Sequence, residues 1–181
     1  MAEMPGGQMI IQNWKKDLFT TPPVFEGYVE PRTLVSHLSA MFRSKAILVA
    51  DVGQNQIWAC KHLPIRQGRF LTSGGLGTMG YSLPAALGVK AAAPDRQTVV
   101  VCGDGSFQMS MNELATIVGN GLAIKIIIMR NHRLGMVREL QDNYYDCRHS
   151  GTILEGDPDF LKIAEAYGID HAEVSSNAEA E

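Results

Sequence analysis

Two polar motifs follow apolar runs in the middle of the chain. Gly103-Asp104-Gly105 comes directly after "QTVVVC", and Asn131 comes after "AIKIIIM", 27 positions beyond Asp104. That separation fits one helix and one strand with short turns, so the spacing predicts that Asp104 and Asn131 stand on adjacent strand ends. Carboxylate and amide oxygens in this arrangement suit a hard cation such as Mg²⁺.

The residues around Asp104 also suit a phosphate group. Its flanking glycines allow a ligand close to the backbone, and Ser106 opens a predicted helix whose first N–H groups favour an anion. A carboxylate and an anion share a site through a cation, so the pattern predicts a Mg²⁺-bridged diphosphate. A nearby carbonyl such as that of Arg133 would help to complete the metal's oxygen shell. The alternative is a simple turn, the usual role of an isolated GDG.

A second glycine-rich stretch, "TSGGLGTMGYSLPAALG", lies between a predicted strand and a predicted helix. Taken by itself, this stretch is similar to a dinucleotide-binding fingerprint. That fingerprint also needs an acidic residue about 20 positions further on, and no acidic residue stands at a clear strand end there. The sequence lacks the P-loop, G-x-S-x-G and H-E-x-x-H patterns. It therefore offers no familiar nucleophile elbow or zinc site.

The elements that must position these motifs alternate between helix and strand. Near-continuous apolar strands separated by helices indicate an α/β fold, with a parallel sheet covered by helices on both faces. Ligands of such sheets bind beyond the carboxyl ends of the strands. Helices are predicted at 31–42, 55–63, 82–93, 106–118 and 157–167, and strands at 46–50, 69–72, 97–102, 123–129 and 171–174.

Domain organisation follows from the distribution of proline and of capping residues. Residues 1–30 contain three prolines, with a fourth at position 31, and predict an irregular lead-in or interdomain linker, whereas residues 31–181 predict one domain. The final "SSNAEAE" has the signature of a helix start without the apolar face that should follow. We therefore expect this domain to be truncated at its C-terminus and the chain to be part of a larger protein.

Composition excludes several classes of function. A chain of 181 residues, 45% hydrophobic with a net charge of −3, can bury one core and has no basic tract for nucleic acid. No apolar run approaches the roughly 20 residues of a membrane span. Cys60, Cys102 and Cys147 are odd in number and widely spaced, which favours a reducing compartment. We expect a cytoplasmic protein.

Taken together, the motifs resemble the C-terminal, thiamin diphosphate (ThDP)-binding domain of the acetolactate synthase (acetohydroxyacid synthase) catalytic subunit. The pair GDG and Asn131 resembles the ThDP motif, while "TSGGLGTMGYSLPAALG" and "DVGQNQIWA" are similar to the acetolactate synthase branch in particular. The resemblance runs from about Gly27 to the C-terminus.

This resemblance implies a role for each matching position. Asp104, the Asn131 side chain and the Arg133 carbonyl would hold Mg²⁺. Gly77 would accept a hydrogen bond from the aminopyrimidine through its carbonyl, and Met79 would wedge beneath the bent cofactor. The implied cofactor-binding set is Gly53, Gln54, Asn55, Gly77, Met79, Gly103, Asp104, Gly105, Ser106, Met109 and Asn131.

The resemblance also implies a reaction. The family decarboxylates pyruvate and joins the resulting hydroxyethyl unit to a second 2-ketoacid, a step of branched-chain amino-acid biosynthesis. Its catalytic glutamate comes from the pyrimidine-binding domain of a neighbouring subunit, and FAD binds elsewhere in the full-length enzyme. We therefore expect the protein to form a homo-oligomer. We also expect these 181 residues to be inactive on their own.

Two positions depart from the family. Asn55 stands where His is common, and Leu140 stands where a Trp is commonly found near the acceptor pocket. The alternatives are therefore another ThDP-dependent 2-ketoacid decarboxylase or carboligase, and a natural short ThDP-binding subunit that needs a separate partner chain.

Overall fold

A four-stranded parallel sheet organises the protein. The computed structural model describes residues 27–42, 45–63 and 68–180, so most of the predicted lead-in at 1–30 lies outside the described residues. The strands are β1 (Ile47–Ala50), β2 (Arg69–Thr72), β3 (Thr98–Gly103) and β4 (Ile124–Met129). Their order is β2-β1-β3-β4, and all three pairings are parallel. The predicted α/β fold class is confirmed.

Helices connect and cover these strands. They are α1 (Pro31–Met41), α2 (Gln54–His62), α3 (Ser82–Ala92), α4 (Asp104–Gln108), α5 (Leu114–Gly119), α6 (Gly135–Tyr144), α7 (Phe160–Ala166) and α8 (Asn177–Ala180), with a 3-10 turn at Met111–Glu113. Helix α3 tolerates Pro84 because its first turn needs no N–H donor there. Helices α5 and α7 are each followed by a glycine in the left-handed region, Gly121 (φ 59°) and Gly168 (φ 66°).

The core lies on both faces of the sheet. Alternate strand residues point to opposite faces, so Val100 joins one cluster while Val99 and Val101 join the other. The first cluster packs Leu83 of α3 with residues of α5 and α7, and the second packs α1 and α2. Because all the strands are parallel, the loops that follow them converge at the edge of the sheet formed by their carboxyl ends.

The helix predicted at 106–118 is wrong in its bounds. The chain becomes helical at Asp104, leaves the helix at Ser110 (φ −138°), and resumes through the 3-10 turn into α5. At this break Met109 packs against Gly80, where an added Cβ would lie 3.1 Å from the Met109 Cβ. We attribute the break to this long-range contact, which outweighs local helix propensity.

Two further elements differ from the sequence-based expectation. Residues 171–174, predicted as a strand, are exposed and belong to no ladder of the described sheet, because no described strand lies beside them to pair with. Helix α6 was not predicted, although Val137, Leu140 and Tyr144 follow helical spacing. Across 27–42, 45–63 and 68–180, no helix has the length and apolarity needed to cross a bilayer.

Candidate diphosphate and metal site at the carboxyl ends of the strands

The Asp104 carboxylate links the ends of β3 and β4. Its Oδ1 accepts a hydrogen bond from the Gly105 N–H (2.9 Å), and its Oδ2 accepts from the N–H groups of Asn131 (3.0 Å) and His132 (2.7 Å). The residue is only 2% exposed. The β3–β4 register ends with Gly103 opposite Met129, so Asp104 and the loop of Asn131 meet beyond the sheet. The predicted proximity of Asp104 and Asn131 is present.

The loop after β4 has a defined backbone. The Leu134 N–H donates to the Thr152 carbonyl (2.8 Å), and the Leu154 N–H donates to the His132 carbonyl (2.9 Å). These bonds flank an antiparallel bridge at Arg133, whose own N–H instead donates to Asn131 Oδ1 (3.1 Å). In such a bridge the N–H and C=O of the central residue face away from the partner segment. The Arg133 carbonyl is therefore not used by the bridge.

The donor chemistry of this corner fits Mg²⁺. Asp104 offers a carboxylate, Asn131 a carboxamide and Arg133 a main-chain carbonyl, all of them hard oxygen donors. Within the part of the chain that the structure describes, Asp104 has no ion pair with a basic side chain. The same part contains no group of three or more His, Cys, Asp or Glu side chains, so a zinc-like cluster is not formed there. A buried carboxylate of this kind is suited to a cation as its partner.

The turn at 103–106 is closed by its own side chains. Ser106 Oγ accepts from the Gly103 N–H (3.2 Å) and donates to the Gly103 carbonyl (3.3 Å), and the residue is buried. An added Cβ at Gly105 would lie 2.8 Å from Leu134 Cδ2. A side chain at position 105 would therefore require the Leu134 side chain to shift.

The glycine-rich loop reaches the same corner. Gly77 (φ 64°) and Gly80 (φ 80°) have left-handed conformations, and Gly77 is exposed. The Met79 Cε would lie 3.6 Å from a Cβ at Gly105, whereas Met109, 59% exposed, lies beside Gly80. The structure therefore brings Met79 to the turn at Asp104 and Met109 to the glycine-rich loop.

Asp51 anchors this glycine-rich loop and was missed by the sequence analysis. Its Oδ1 accepts from the N–H groups of Val52 (2.8 Å) and Gly80 (3.1 Å), and its Oδ2 accepts from the Ser82 N–H (2.8 Å). The residue is fully buried at the end of β1. The available signal was its place directly after the apolar run "AILVA", the same placement that drew attention to Asp104.

The segment at 53–55 approaches from the other side. Gly53 has φ 145° and ψ −175°. Asn55 is buried, and its Nδ2 donates to the carbonyls of Asp51 (2.9 Å) and Val101 (3.3 Å). Gln54 lies nearer the surface, where its Nε2 donates to Glu139 Oε2 of α6 (3.0 Å). The Asn55 side chain is thus committed to the backbone, whereas Gln54 joins the rim of the site.

Two other residues lie on α6 and in the loop before α7. Leu140 lies on α6 and is 48% exposed. Asp157, which the sequence analysis also missed, accepts hydrogen bonds from Gln108 and Arg130 directly behind the loop of Asn131, and its Oδ2 lies 3.1 Å from His132 Nδ1. The helix predicted at 157–167 begins at Asp157, whereas α7 begins at Phe160 and Asp157 lies in the loop before it, so no sequence signal marked its position behind Asn131.

A buried thiol lies beneath the site. Cys102 is fully buried in β3. Burial raises the pKa of this thiol well above its ordinary value, and the nearby Asp51 and Asp104 carboxylates raise it further. The thiol is therefore held protonated, which excludes it as a nucleophile or a metal ligand at neutral pH.

Similarity to known proteins agrees with this geometry. The chain is 40% identical to the acetolactate synthase large subunit of Lactococcus lactis subsp. lactis over 92% of its length, which is 29% of that relative. It is 42% identical to the large subunit of Cyanidium caldarium, covering 88% of this chain and 27% of the relative. It is 44% identical to the isozyme 2 large subunit of Escherichia coli, covering 75% and 25%. The chain thus spans less than a third of these relatives.

A family model matches the part of the chain that holds the site. Residues 51–181 match the family described as "Thiamine pyrophosphate enzyme, C-terminal TPP binding domain", thiamine pyrophosphate being another name for ThDP. The matched segment begins at Asp51 and includes Asp104, Asn131 and the glycine-rich loop. The chain therefore belongs to the family of C-terminal, thiamine pyrophosphate-binding domains of thiamine pyrophosphate enzymes.

Proposed function

We propose that the chain binds the diphosphate of ThDP through a Mg²⁺ ion held by Asp104, Asn131 and Arg133. The observation that carries this proposal is the buried Asp104 carboxylate, which is bonded by the very loop that presents Asn131. Asp104 and Asn131 would contribute side-chain oxygens, and Arg133 its carbonyl.

The diphosphate itself would lie against main chain. Gly103, Gly105 and Ser106 would contact it from one side, and Gly53 and Gln54 from the other. The three glycines lack a Cβ and would permit close approach of the backbone.

Asn55 would support this contact indirectly. Its Nδ2 already donates to two carbonyls, so it would hold the Gly53 segment in place instead of donating to a phosphate oxygen.

The glycine-rich loop would orient the rest of the cofactor. The Gly77 carbonyl would accept from the aminopyrimidine, Met79 would hold the cofactor bent, and Met109 would line the pocket. The positions of Met79 beside Gly105 and of Met109 beside Gly80 support these roles. ThDP supplies the electron sink for decarboxylation of a 2-ketoacid, and the residues of this chain bind it, orient it and restrict access of water.

For the complete protein we infer an acetolactate synthase reaction, on the strength of the large-subunit relatives. Pyruvate and a second 2-ketoacid would be joined in the cytoplasm, within a homo-oligomer. A glutamate from the pyrimidine-binding domain of a neighbouring subunit would complete the site, and FAD would bind outside this domain. The 181 residues alone should form no acetolactate, and robust formation by the purified chain would overturn this assignment.

Leu140 favours a second candidate, another ThDP-dependent 2-ketoacid decarboxylase or carboligase. It occupies an exposed position on α6 where the resembling family commonly has a Trp. Turnover of pyruvate alone should be compared with turnover of pyruvate plus 2-ketobutyrate in the complete protein. Incorporation of 2-ketobutyrate into an acetohydroxyacid supports the synthase, whereas acetaldehyde as the main product supports the alternative.

Calorimetry tests the binding proposal. ThDP and, separately, inorganic pyrophosphate should be titrated into the 181-residue chain with Mg²⁺ and with EDTA. We expect both ligands to bind only with Mg²⁺, because the proposed site holds the diphosphate through this ion. Pyrophosphate is included because it needs no contact with a pyrimidine-binding domain. Asp104→Asn, with folding checked by circular dichroism, should abolish binding. The exposed control Asp95→Asn should not change it.

Two results would refute the binding proposal. One is the absence of Mg²⁺-dependent binding for both ligands, and the other is binding that survives Asp104→Asn.

A further inference from the structure

Three polar side chains contact Asp157 behind the candidate metal site. Its Oδ1 accepts from Gln108 Nε2 (2.9 Å), while its Oδ2 lies 3.1 Å from His132 Nδ1 and 3.5 Å from Arg130 Nε. The Asp157 side chain is only 3% exposed. A buried carboxylate contacted both from α4 and from the loop after β4 is a rigid junction, because removing it would leave Gln108 and Arg130 without this acceptor.

These three side chains surround the residues proposed to bind Mg²⁺. Arg130 and His132 are the immediate neighbours of Asn131, and Gln108 also donates to the Asp104 carbonyl through its Nε2 (3.4 Å). Asp157 thus reaches both halves of the site, the turn after β3 and the loop after β4.

The backbone at His132 needs such support. His132 has φ 57°, in the left-handed region that non-glycine residues adopt only at a cost. In that conformation its N–H donates to Asp104 Oδ2 at 2.7 Å while its ring faces Asp157. The side chain and the backbone of one residue therefore join the two carboxylates.

We propose that Asp157 is a positioning residue for the metal site. It fixes the loop at 130–133 so that the N–H groups of Asn131 and His132 meet Asp104 and the oxygens of Asn131 and Arg133 face the ion. This inference rests on the proposed function for its effect on Mg²⁺, but its effect on the loop itself is independent of any ligand.

Amide hydrogen exchange tests the loop without a ligand. In Asp157→Asn, the N–H groups of Asn131 and His132 should exchange at least about 10-fold faster than in the wild-type chain, because local opening becomes easier. Asp159→Asn is the matched control, since Asp159 lies in the same segment, is exposed and caps α7, and asparagine also caps helices. The proposal would be overturned if the N–H groups of Asn131 and His132 exchanged at the same rate in Asp157→Asn as in Asp159→Asn.

Metal dependence tests the consequence for binding. The Mg²⁺ concentration that half-saturates pyrophosphate binding should rise about 10-fold or more in Asp157→Asn, as is typical when a residue behind a metal ligand is lost. It should not change in Asp159→Asn. If the wild-type chain shows no Mg²⁺-dependent binding, the proposed function fails, whereas equal Mg²⁺ requirements for both variants refute the role of Asp157 alone.

A double-mutant cycle tests the route through His132. If Asp157 acts through the His132 ring, replacing Asp157 in a His132→Ala background should raise the Mg²⁺ requirement far less than it does in the wild-type chain. Fully additive effects would overturn this route.

Discussion

Gly53 shows how strongly one residue can depend on its backbone conformation. Its φ of 145° and ψ of −175° lie in a region that is essentially restricted to glycine. An added Cβ would also lie 2.5 Å from Asn55 Oδ1, inside van der Waals contact, and Asn55 is buried and bonded on two sides. Neither the backbone nor this neighbour can adjust easily.

We therefore expect Gly53→Ala to lower the free energy of unfolding by about 1–3 kcal/mol, as measured by urea denaturation. Gly88→Ala is the control, because Gly88 lies inside α3 with open space around its Cα. That change should raise the free energy of unfolding by about 0.5–1 kcal/mol through helix propensity. Equal effects of the two variants would contradict the interpretation.

The part of the site that could be predicted is the part set by the spacing of strand ends along the sequence. Asp104 and Asn131 could be paired because a parallel sheet aligns its carboxyl ends. Asp51 obeys the same rule and could have been found. Asp157 could not, because its place behind Asn131 depends on how the segment before α7 folds back, which no periodicity encodes.

Among the elements, α1 illustrates a helix start set by a carboxylate. Glu30 accepts from the Thr33 N–H (2.8 Å) and from Arg32 Nε (2.6 Å). Burial raises the pKa of Glu30, but the hydrogen bonds from Arg32 and Thr33 outweigh it and hold the pKa below its ordinary value. Because the folded-state pKa is the lower one, this stabilisation is present above the ordinary value of 4.5 and is lost as pH falls below it.

Glu30→Gln should therefore reduce the free energy of unfolding by about 0.5–1 kcal/mol at pH 7, because the ionised cap is lost. The difference from the wild-type chain should shrink as the pH is lowered below 4.5, which urea denaturation at several pH values would measure. Glu155→Gln, in an exposed loop, is the control and should have little effect. A constant difference across this pH range would argue against the cap.

Element boundaries were predictable where local signals decided them. The prediction of β2 matched all four of its residues, and that of α1 was one residue too long. The prediction failed at the break between α4 and α5, because there the contact between Gly80 and Met109 joins positions far apart in sequence. Residues 171–174 failed for a related reason, since a strand requires a partner that sequence alternation alone does not supply.

At the scale of the whole molecule, the fold determines which cysteine thiols are accessible to solvent. Cys60 and Cys147 are exposed, whereas Cys102 lies inside β3. Burial and the two neighbouring carboxylates raise the Cys102 pKa, so this thiol is both inaccessible and protonated.

Alkylation of the native protein followed by intact-mass measurement should modify Cys60 and Cys147 and leave Cys102 unmodified. In denaturant, all three thiols should react. Rapid labelling of Cys102 under native conditions would mean that β3 opens far more readily than its place in the core implies.

The bond between Asp104 and the loop after β4 also bears on how the chain folds. Asp104 and its backbone partners are 27 and 28 residues apart, with α4, α5 and β4 between them. We expect this contact to form after β4 has paired with β3, because it joins positions that are far apart in sequence. A ligand that binds both ends of the crossover would then stabilise a contact that forms late in folding. Such a ligand would slow unfolding far more than it speeds folding.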